Sequence, residues 1–178
     1  MGVDTQQRAN KLGGMFKQYA TQFLGVECNL ETIQMKADFV DLNLFVPKFD
    51  DKVRTSPDQC SEAQRFFLDI AFRMSLIEFS SNLSNHPGSF ICETPENALD
   101  LTYVNNVARM FRSFSEKGHH LIATSNIQKG GIAGPMLSDL SVNEKENSVL
   151  NMIKKARLTK VQEDSKPLLL KEIKDIIG

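Results

Sequence analysis

Apolar residues near the start of the chain recur every three or four positions, which is the spacing of one face of an α-helix. This face consists of Leu12, Met15, Phe16, Tyr19 and Phe23. A helix is therefore predicted over 5–24, with Gly25 as its stop signal. Gly13 and Gly14 lie inside this helix and cost about 1 kcal/mol each in helix propensity. Packing must hold the helix together, or it bends at the glycine pair.

Apolar and polar positions alternate between residues 29 and 49, which indicates β-strands. Two short strands closing at Pro47 are predicted there, followed by a polar loop over 50–59. The segment 61–79 is the most strongly helical of the chain, and its apolar residues cover more than one face. A helix buried on two sides is therefore expected. Residues 80–89 are rich in Ser, Asn, Pro and Gly and are predicted to form a turn.

Two short apolar runs, 90–92 and 121–123, have the character of buried parallel strands. A helical pattern over 97–116 lies between them and ends near Gly118, the expected C-terminal cap. Strand, helix and strand at this spacing predict a βαβ unit with a right-handed crossover. The fold class is therefore α/β, with a mixed sheet and flanking helices.

The remainder of the chain is predicted to be a loop followed by two helices. The glycine-rich segment 129–135 is expected to be a flexible loop. Two terminal helices are predicted over 142–158 and 167–177, with the charged segment 160–166 as the linker between them.

The composition is that of one globular domain with its own core: 178 residues, 41% hydrophobic and 24% charged. No apolar run approaches the ~20 residues of a membrane helix, and the N-terminus lacks the pattern of a secretory signal, so a cytoplasmic location is expected. The 21 Lys and Arg residues oppose 22 Asp and Glu residues, so net charge gives no support for DNA binding. A local basic patch exists at Lys154, Lys155, Arg157 and Lys160, for which a solvated helix face is the ordinary explanation.

The cysteines and histidines of the chain show no metal-binding spacing. Cys28, Cys60 and Cys92 are odd in number and include no C-x-x-C pair, so reduced, unpaired thiols are expected. His119 and His120 lack further ligands at a fixed distance, and both are expected on the surface.

Three segments with candidate chemistry follow one another in order. CSEAQRFFLDIAFRMSL begins a helix with a serine, FICETPENALD ends a strand in acids, and HLIATSN ends a strand in polar residues. Together they resemble the C-terminal half of an ABC-type ATPase head, as found in SMC proteins and related coiled-coil DNA-repair ATPases. The pattern E-T-P-E-N-A-L-D followed by T-S-N is most similar to the SMC-like subunits of Lamassu-type anti-phage defence systems.

The first segment is similar to the family's signature motif, LSGGQ or LSGGE before a helix. The resemblance implies that Ser61, Glu62, Ala63 and Gln64 contact ATP held by a second head. Ser61 lies where an N-cap is expected, so its hydroxyl and the first-turn N–H groups suit a γ-phosphate; a plain N-cap is the alternative. Glu62 and Ala63 replace the family's two glycines, and Glu62 adds a negative charge. Arg65 either steadies phosphate charge or is simply solvated.

The second segment resembles the Walker B strand and D-loop, commonly DEPTxALD. A gapless alignment puts Glu93 at the position of the magnesium-associated aspartate, which acts through water, and Thr94 at that of the catalytic glutamate. Glu96 is then the nearest carboxylate for the attacking water. A shifted alignment, with one inserted residue, puts Cys92 at the aspartate position and makes Glu93 the base. Asp100 matches the D-loop aspartate at the dimer interface, or is a first-turn helix acid.

The third segment resembles the switch strand, which usually ends in histidine. Asn126 takes that position, and its amide can hydrogen-bond a phosphate oxygen but cannot titrate near neutral pH. The sequence contains no G-x-x-x-x-G-K-S/T phosphate loop, which SMC-like proteins carry in the N-terminal half of the head. The resemblance implies that residues 1–24 end a returning coiled-coil helix and residues 25–178 form the C-terminal lobe of the head.

The resemblance implies an ATPase head that works only when assembled. ATP and Mg²⁺ are the expected cofactors. The expected partners are the N-terminal Walker A lobe and a second head in a homodimer. The complete complex is expected to bind DNA and effector subunits but no membrane. ATP hydrolysis would couple to DNA sensing or holding in anti-phage defence, and this chain alone would be inactive.

Two other functions fit parts of the sequence. One is a nucleotide-gated interaction module of a DNA-repair or defence complex that does not hydrolyse ATP, because the acid and switch positions depart from the family pattern. The other is a stand-alone binding domain unrelated to ATP, which would expose little apolar surface.

Overall fold

The structure is a computed structural model that describes residues 2–37, 40–95, 99–126 and 131–177. The helices are α1 (Gly2–Leu24), α2 (Glu62–Ser84), α3 (Val104–Glu116), α4 (Ala133–Leu137), α5 (Val142–Ser148), α6 (Met152–Lys155) and α7 (Lys160–Ile177). The strands are β1 (Cys28–Ala37), β2 (Val40–Phe49), β3 (Lys52–Val53), β4 (Ser89–Cys92) and β5 (His120–Ala123). β1, β2 and β3 form an antiparallel sheet, and β4 and β5 form a separate parallel pair. The protein is thus of the predicted α/β class, with helices around small sheets.

The hydrophobic core lies where α1, α2 and α3 meet the inner face of β4. α1 confirms the predicted helix and continues through Gly13 and Gly14, because Phe16, Tyr19 and Phe23 are almost completely buried in this core. None of the helices in the described residues is long and apolar enough to cross a membrane. Cys28, Cys60 and Cys92 form no disulfide with one another.

A polar network joins the three core helices at one end. The Tyr19 hydroxyl donates to the Glu78 carboxylate at 2.7 Å, and the Lys117 ammonium donates to the same oxygen at 2.8 Å. Lys117 also lies 4.6 Å from the centre of the Tyr19 ring. Burial, followed by the hydrogen bond to Glu78, raises the pKa of Tyr19. The buried hydroxyl therefore stays protonated and satisfied.

β1 and β2 form a hairpin in which Cys28 pairs with Phe49 at the base. Both strands are ten residues long, and Pro47 lies inside β2, so the prediction that the strands close at this proline is wrong. The Pro47 carbonyl accepts a hydrogen bond from the Arg54 N–H at 2.9 Å. Pro47 lacks an N–H on the side of β2 that faces β3, but β3 has already ended at the residue before Arg54. A strand tolerates proline at such a position. The predicted loop 50–59 contains β3 and a 3-10 turn, Pro57–Gln59.

α2 runs five residues further than predicted, through the first half of the expected turn 80–89. The Ser84 hydroxyl donates to the Ser80 carbonyl at 3.1 Å, so this polar side chain finds its partner within the helix itself. Asn85, with φ 57°, ends the helix in the left-handed conformation. The expected burial on two sides is not observed within the described residues, because Leu76 and Leu83 stay exposed opposite the core face.

The predicted strand, helix, strand unit is confirmed in order and direction. β4 and β5 pair in parallel, from Ser89 opposite His120 to Cys92 opposite Ala123, and α3 connects them. The helix starts later than predicted, because a 3-10 turn, Leu101–Tyr103, comes first and is capped by Asp100. Residues 96–98, where the helix start was expected, lie outside the described residues.

The C-terminal quarter differs most from prediction. Ala133–Leu137 is helix rather than loop, because the fully buried Ile132 fixes it to the core; Lys129 and Gly130 lie outside the described residues. The predicted helix over 142–158 is split into α5 and α6. The predicted linker 160–166 is part of the helix α7, because Thr159 and Gln162 cap the start of this helix. The side chain of each accepts a hydrogen bond from the backbone N–H of the other. Pro167 lies inside α7, where it removes one helical hydrogen bond.

Candidate functional site

The carboxyl ends of β4 and β5 bring the second and third candidate segments together. The Thr94 N–H donates to the Thr124 carbonyl at 3.2 Å and to the Thr124 hydroxyl at 3.0 Å. The Thr124 N–H in turn donates to the Cys92 carbonyl at 3.0 Å. Glu93 and Asn126 therefore lie on exposed connections that leave the same edge of the parallel pair.

Thr94 has a strained backbone at this edge. Its φ is 41°, a left-handed value that is unusual for a β-branched residue. The gapless alignment assigns the position of the catalytic glutamate to this residue. Glu96, the other candidate for that role, lies outside the described residues.

Ser61 caps the start of α2, as predicted. Its hydroxyl accepts from the Gln64 N–H at 3.2 Å, and the Gln64 side-chain carbonyl accepts from the Ser61 N–H at 3.0 Å. This reciprocal pair is a capping box. Gln64 is thus committed to the cap, whereas Ser61 and Glu62 are exposed at the helix end and Ala63 is half-buried. The contact of these four residues with ATP stays a prediction.

The 3-10 turn that follows Asp100 and the start of α2 both pack against the same end of α1. The Phe23 ring lies 5.0 Å from that of Phe67 in α2 and 5.3 Å from that of Tyr103, which follows Asp100 in the 3-10 turn. The Asp100 carboxylate accepts from the Thr102 N–H and hydroxyl, each at 2.9 Å. These hydrogen bonds lower the pKa of Asp100, so the exposed group is charged at neutral pH. Its place in a dimer interface stays a prediction.

The parallel pair β4–β5 has one buried and one open face. Phe90 and Cys92 point into the core, whereas Ile91 is 72% exposed and Ile122 is 57% exposed. The sequence predicts two fully buried strands, and this prediction is wrong for the outer face within the described residues. Parallel strands with apolar residues on both sides are normally covered on both faces. The described part of the chain covers only one.

The prediction that His119 lies on the surface is also wrong, because the residue is buried. It is 8% exposed, its Nδ1 accepts from the Gly88 N–H at 3.2 Å, and its ring lies 4.7 Å from that of Phe114. It occupies this place because it joins the start of β5 to the start of β4. Burial is the main cause that lowers the pKa of His119. His120 is exposed, as expected, and the described residues hold no group of three His, Cys, Asp or Glu that could bind a metal ion.

We expect His119 to make stability fall as the pH drops below about 6.5, the ordinary histidine pKa. Above that pH neither state binds the proton. Below it the unfolded chain binds the proton first, because the folded pKa is lowered, so the free energy of unfolding decreases toward the folded pKa. Urea unfolding between pH 7.5 and 5 measures this slope. His119→Asn, which keeps an acceptor near Nδ1, should flatten it, whereas His120→Asn should not; equal slopes in both variants would contradict the assignment.

Comparison with known proteins shows a similarity to solved structures but none to a family model or a curated sequence. No protein-family model matches the chain, and no curated protein matches its sequence. Among solved structures, it is similar to an SMC head bound to the C-winged helix domain of ScpA, with a TM-score of 0.49 and 14% identity over 70% of this chain. The match spans 39% of that chain. An overlap of this size says nothing about activity, so the function proposed below rests on the residues of this chain.

Proposed function

We propose that this chain is the C-terminal lobe of an SMC-like ATPase head, with residues 1–24 as the end of a returning coiled-coil helix and residues 25–178 as the lobe. The open face of β4–β5 is the observation that carries this proposal. Ile91 and Ile122 leave an apolar surface on a parallel pair, and such a surface needs a cover. A partner lobe that carries the absent phosphate loop would extend and cover this sheet. A stand-alone domain would have no use for the open face.

The chemistry at the strand ends suits a nucleotide site at the edge of that extended sheet. Glu93 offers a carboxylate, a type of oxygen ligand suited to Mg²⁺ and its bound waters, and Asn126 offers an amide within the same edge. ATP and Mg²⁺ would supply the phosphoryl group and the charge that balances it. In this arrangement Glu93 would hold Mg²⁺ through water, Asn126 would donate to a phosphate oxygen, and Glu96 would orient the attacking water.

The second half of the site would come from another head. The Ser61 hydroxyl and the first-turn N–H groups of the 23-residue helix α2 form an exposed donor set, which favours an anion. Glu62 is exposed and free to turn toward solvent, so its charge does not block this end. With the turn after Asp100 packed on the same end of α1, a homodimer of heads would close over two ATP molecules. The coupling to DNA, to effector subunits and to anti-phage defence rests on the sequence resemblance alone.

The proposal is tested by mixing the chain with its cognate Walker A lobe and measuring association, ATP-dependent dimerisation and ATP hydrolysis. The chain alone should be inactive, and the mixture should dimerise and turn over ATP. Failure of the two lobes to associate would overturn the proposal.

We expect Ile122→Asp to weaken association with the Walker A lobe by about tenfold to a hundredfold, because the partner would bury an unpaired carboxylate. The urea midpoint of the isolated chain should change little, since Ile122 is largely exposed. Leu83→Asp is the matched control, as Leu83 is 64% exposed at the far end of α2. Equal affinity for both variants, measured by calorimetry, would show that the open face is not the contact.

The second candidate is a nucleotide-gated interaction module that binds ATP without hydrolysing it. Thr94 and Asn126 favour it, because neither side chain can act as a general base at neutral pH. The mixture distinguishes the two functions. Turnover that falls in Glu93→Gln or Glu96→Gln supports hydrolysis, whereas stable ATP-dependent dimers without turnover support the module.

A further inference from the structure

A cleft of about 430 Å³ lies between α3 and α4, and its lining includes no residue of the strand ends described above. Its lining comprises Asn105, Arg109, Arg112, Gly134, Pro135 and Ser138. The first three are spaced four and three residues apart and therefore share one face of α3. Neither Ser61, Glu93 nor Asn126 lines it.

The walls of the cleft carry more hydrogen-bond donors than the chain uses. Arg109 donates to the Asn106 side chain, and Arg112 donates to Asp139 and, at 3.3 Å, to the Ser138 hydroxyl. A guanidinium has five N–H donors and is always charged. In the part of the chain that the structure describes, the other donors of Arg109 have no partner. The two guanidinium groups of the cleft face one carboxylate, that of Asp139, whose side chain is 74% exposed. The cleft therefore holds an excess of positive charge.

We propose that this cleft binds a ligand with two linked phosphate groups, either a free diphosphate or neighbouring phosphodiesters of a nucleic acid. Arg109 and Arg112 are three residues apart, roughly 4.5 Å along the helix axis, so each fork can engage its own phosphate. Planar guanidinium forks match phosphate oxygens bidentately. The volume lies within the range of roughly 300–1,000 Å³ that is usual for small-ligand sites.

Calorimetric titration of the whole chain with pyrophosphate, and separately with a short single-stranded oligonucleotide, tests the proposal at fixed ionic strength. Saturable binding is expected for at least one ligand, and which one binds identifies the source of the phosphates. Arg109→Gln should weaken this binding by about tenfold or more, the loss typical of a charge-assisted hydrogen bond. Arg109→Lys, which keeps the charge but not the fork, should also weaken it.

Arg73→Gln is the matched control, because Arg73 pairs with Asp69 on the exposed face of α2 and lies outside the cleft. It should bind as the unchanged chain does. Arg109 is exposed, so its substitution should leave the urea midpoint in place, and this is measured alongside. Absence of saturable binding, equal loss in Arg73→Gln, or citrate binding as tightly as pyrophosphate would each overturn the proposal.

Discussion

Replacing Ser61 by arginine is expected to reduce ATP turnover and ATP-dependent dimerisation of the reassembled head to background, a loss of at least about a thousandfold, or about 4 kcal/mol. Ser61 lies exposed at the first turn of α2, the end that would meet the phosphates of the opposite ATP. A long side chain there fills the space that a phosphate must occupy. The loss should appear both in turnover and in the size of the complex, measured by an ATPase assay and by light scattering.

Ser61→Ala separates the effect on the interface from the effect on the cap. Both substitutions remove the hydroxyl that accepts from Gln64, so each should lower the free energy of unfolding by about 1 kcal/mol. Only arginine also adds bulk. We therefore expect similar urea midpoints for the two variants but a smaller loss of dimerisation in Ser61→Ala. Full dimerisation of the Ser61→Arg head would show that this end of α2 does not face the second nucleotide.

The sequence predicts the regular elements best where periodicity and packing agree. α1 and the β4–α3–β5 unit follow from the apolar spacing alone, and Ser61 follows from the position of a capping residue before a helix. Predictions fail where a side chain outside the periodic pattern decides the structure. α2 ends only at Asn85, which takes the left-handed conformation, and Asp100 caps a tighter turn before α3. Composition predicts a turn over 80–89 and periodicity predicts a helix over 97–116, and neither shows which local conformation ends one helix or delays the other.

The candidate site is predictable in part for a related reason. Parallel pairing puts Glu93 and Asn126 at one edge, and the sequence order of strand, helix and strand implies that pairing. The sequence order does not imply that His119 is buried or that the face at Ile122 is open. Both features depend on which surfaces the neighbouring helices and strands cover. A signal was nevertheless present for the open face: both strand runs are apolar throughout, which demands cover on two sides, and the described residues cover only one.

The largest stability effect is expected at Phe23, at the end of α1. Its ring is fully buried and touches Phe67 and Tyr103, and its carbonyl accepts from the Asn106 amide at 3.0 Å. Phe23→Ala should lower the free energy of unfolding by about 3–5 kcal/mol through lost burial and the cavity left behind. Urea unfolding measures this loss. It is a large part of the 5–15 kcal/mol typical of a domain.

The same measurement bears on the boundary proposed after residue 24. A coil end that merely adjoins the lobe would contribute little to its stability, whereas Phe23 lies in one core with α2 and α3. Phe23→Leu, which should lose less than Phe23→Ala, keeps the comparison possible if the alanine variant does not fold. Leu83→Ala, at a position 64% exposed, is the control and should change stability by less than about 0.5 kcal/mol. Similar small losses of stability at Phe23 and Leu83 would favour a separable coil. A large loss at Phe23 alone would make the last turns of α1 part of the lobe. Movement of the coil would then be transmitted directly to the turn that follows Asp100.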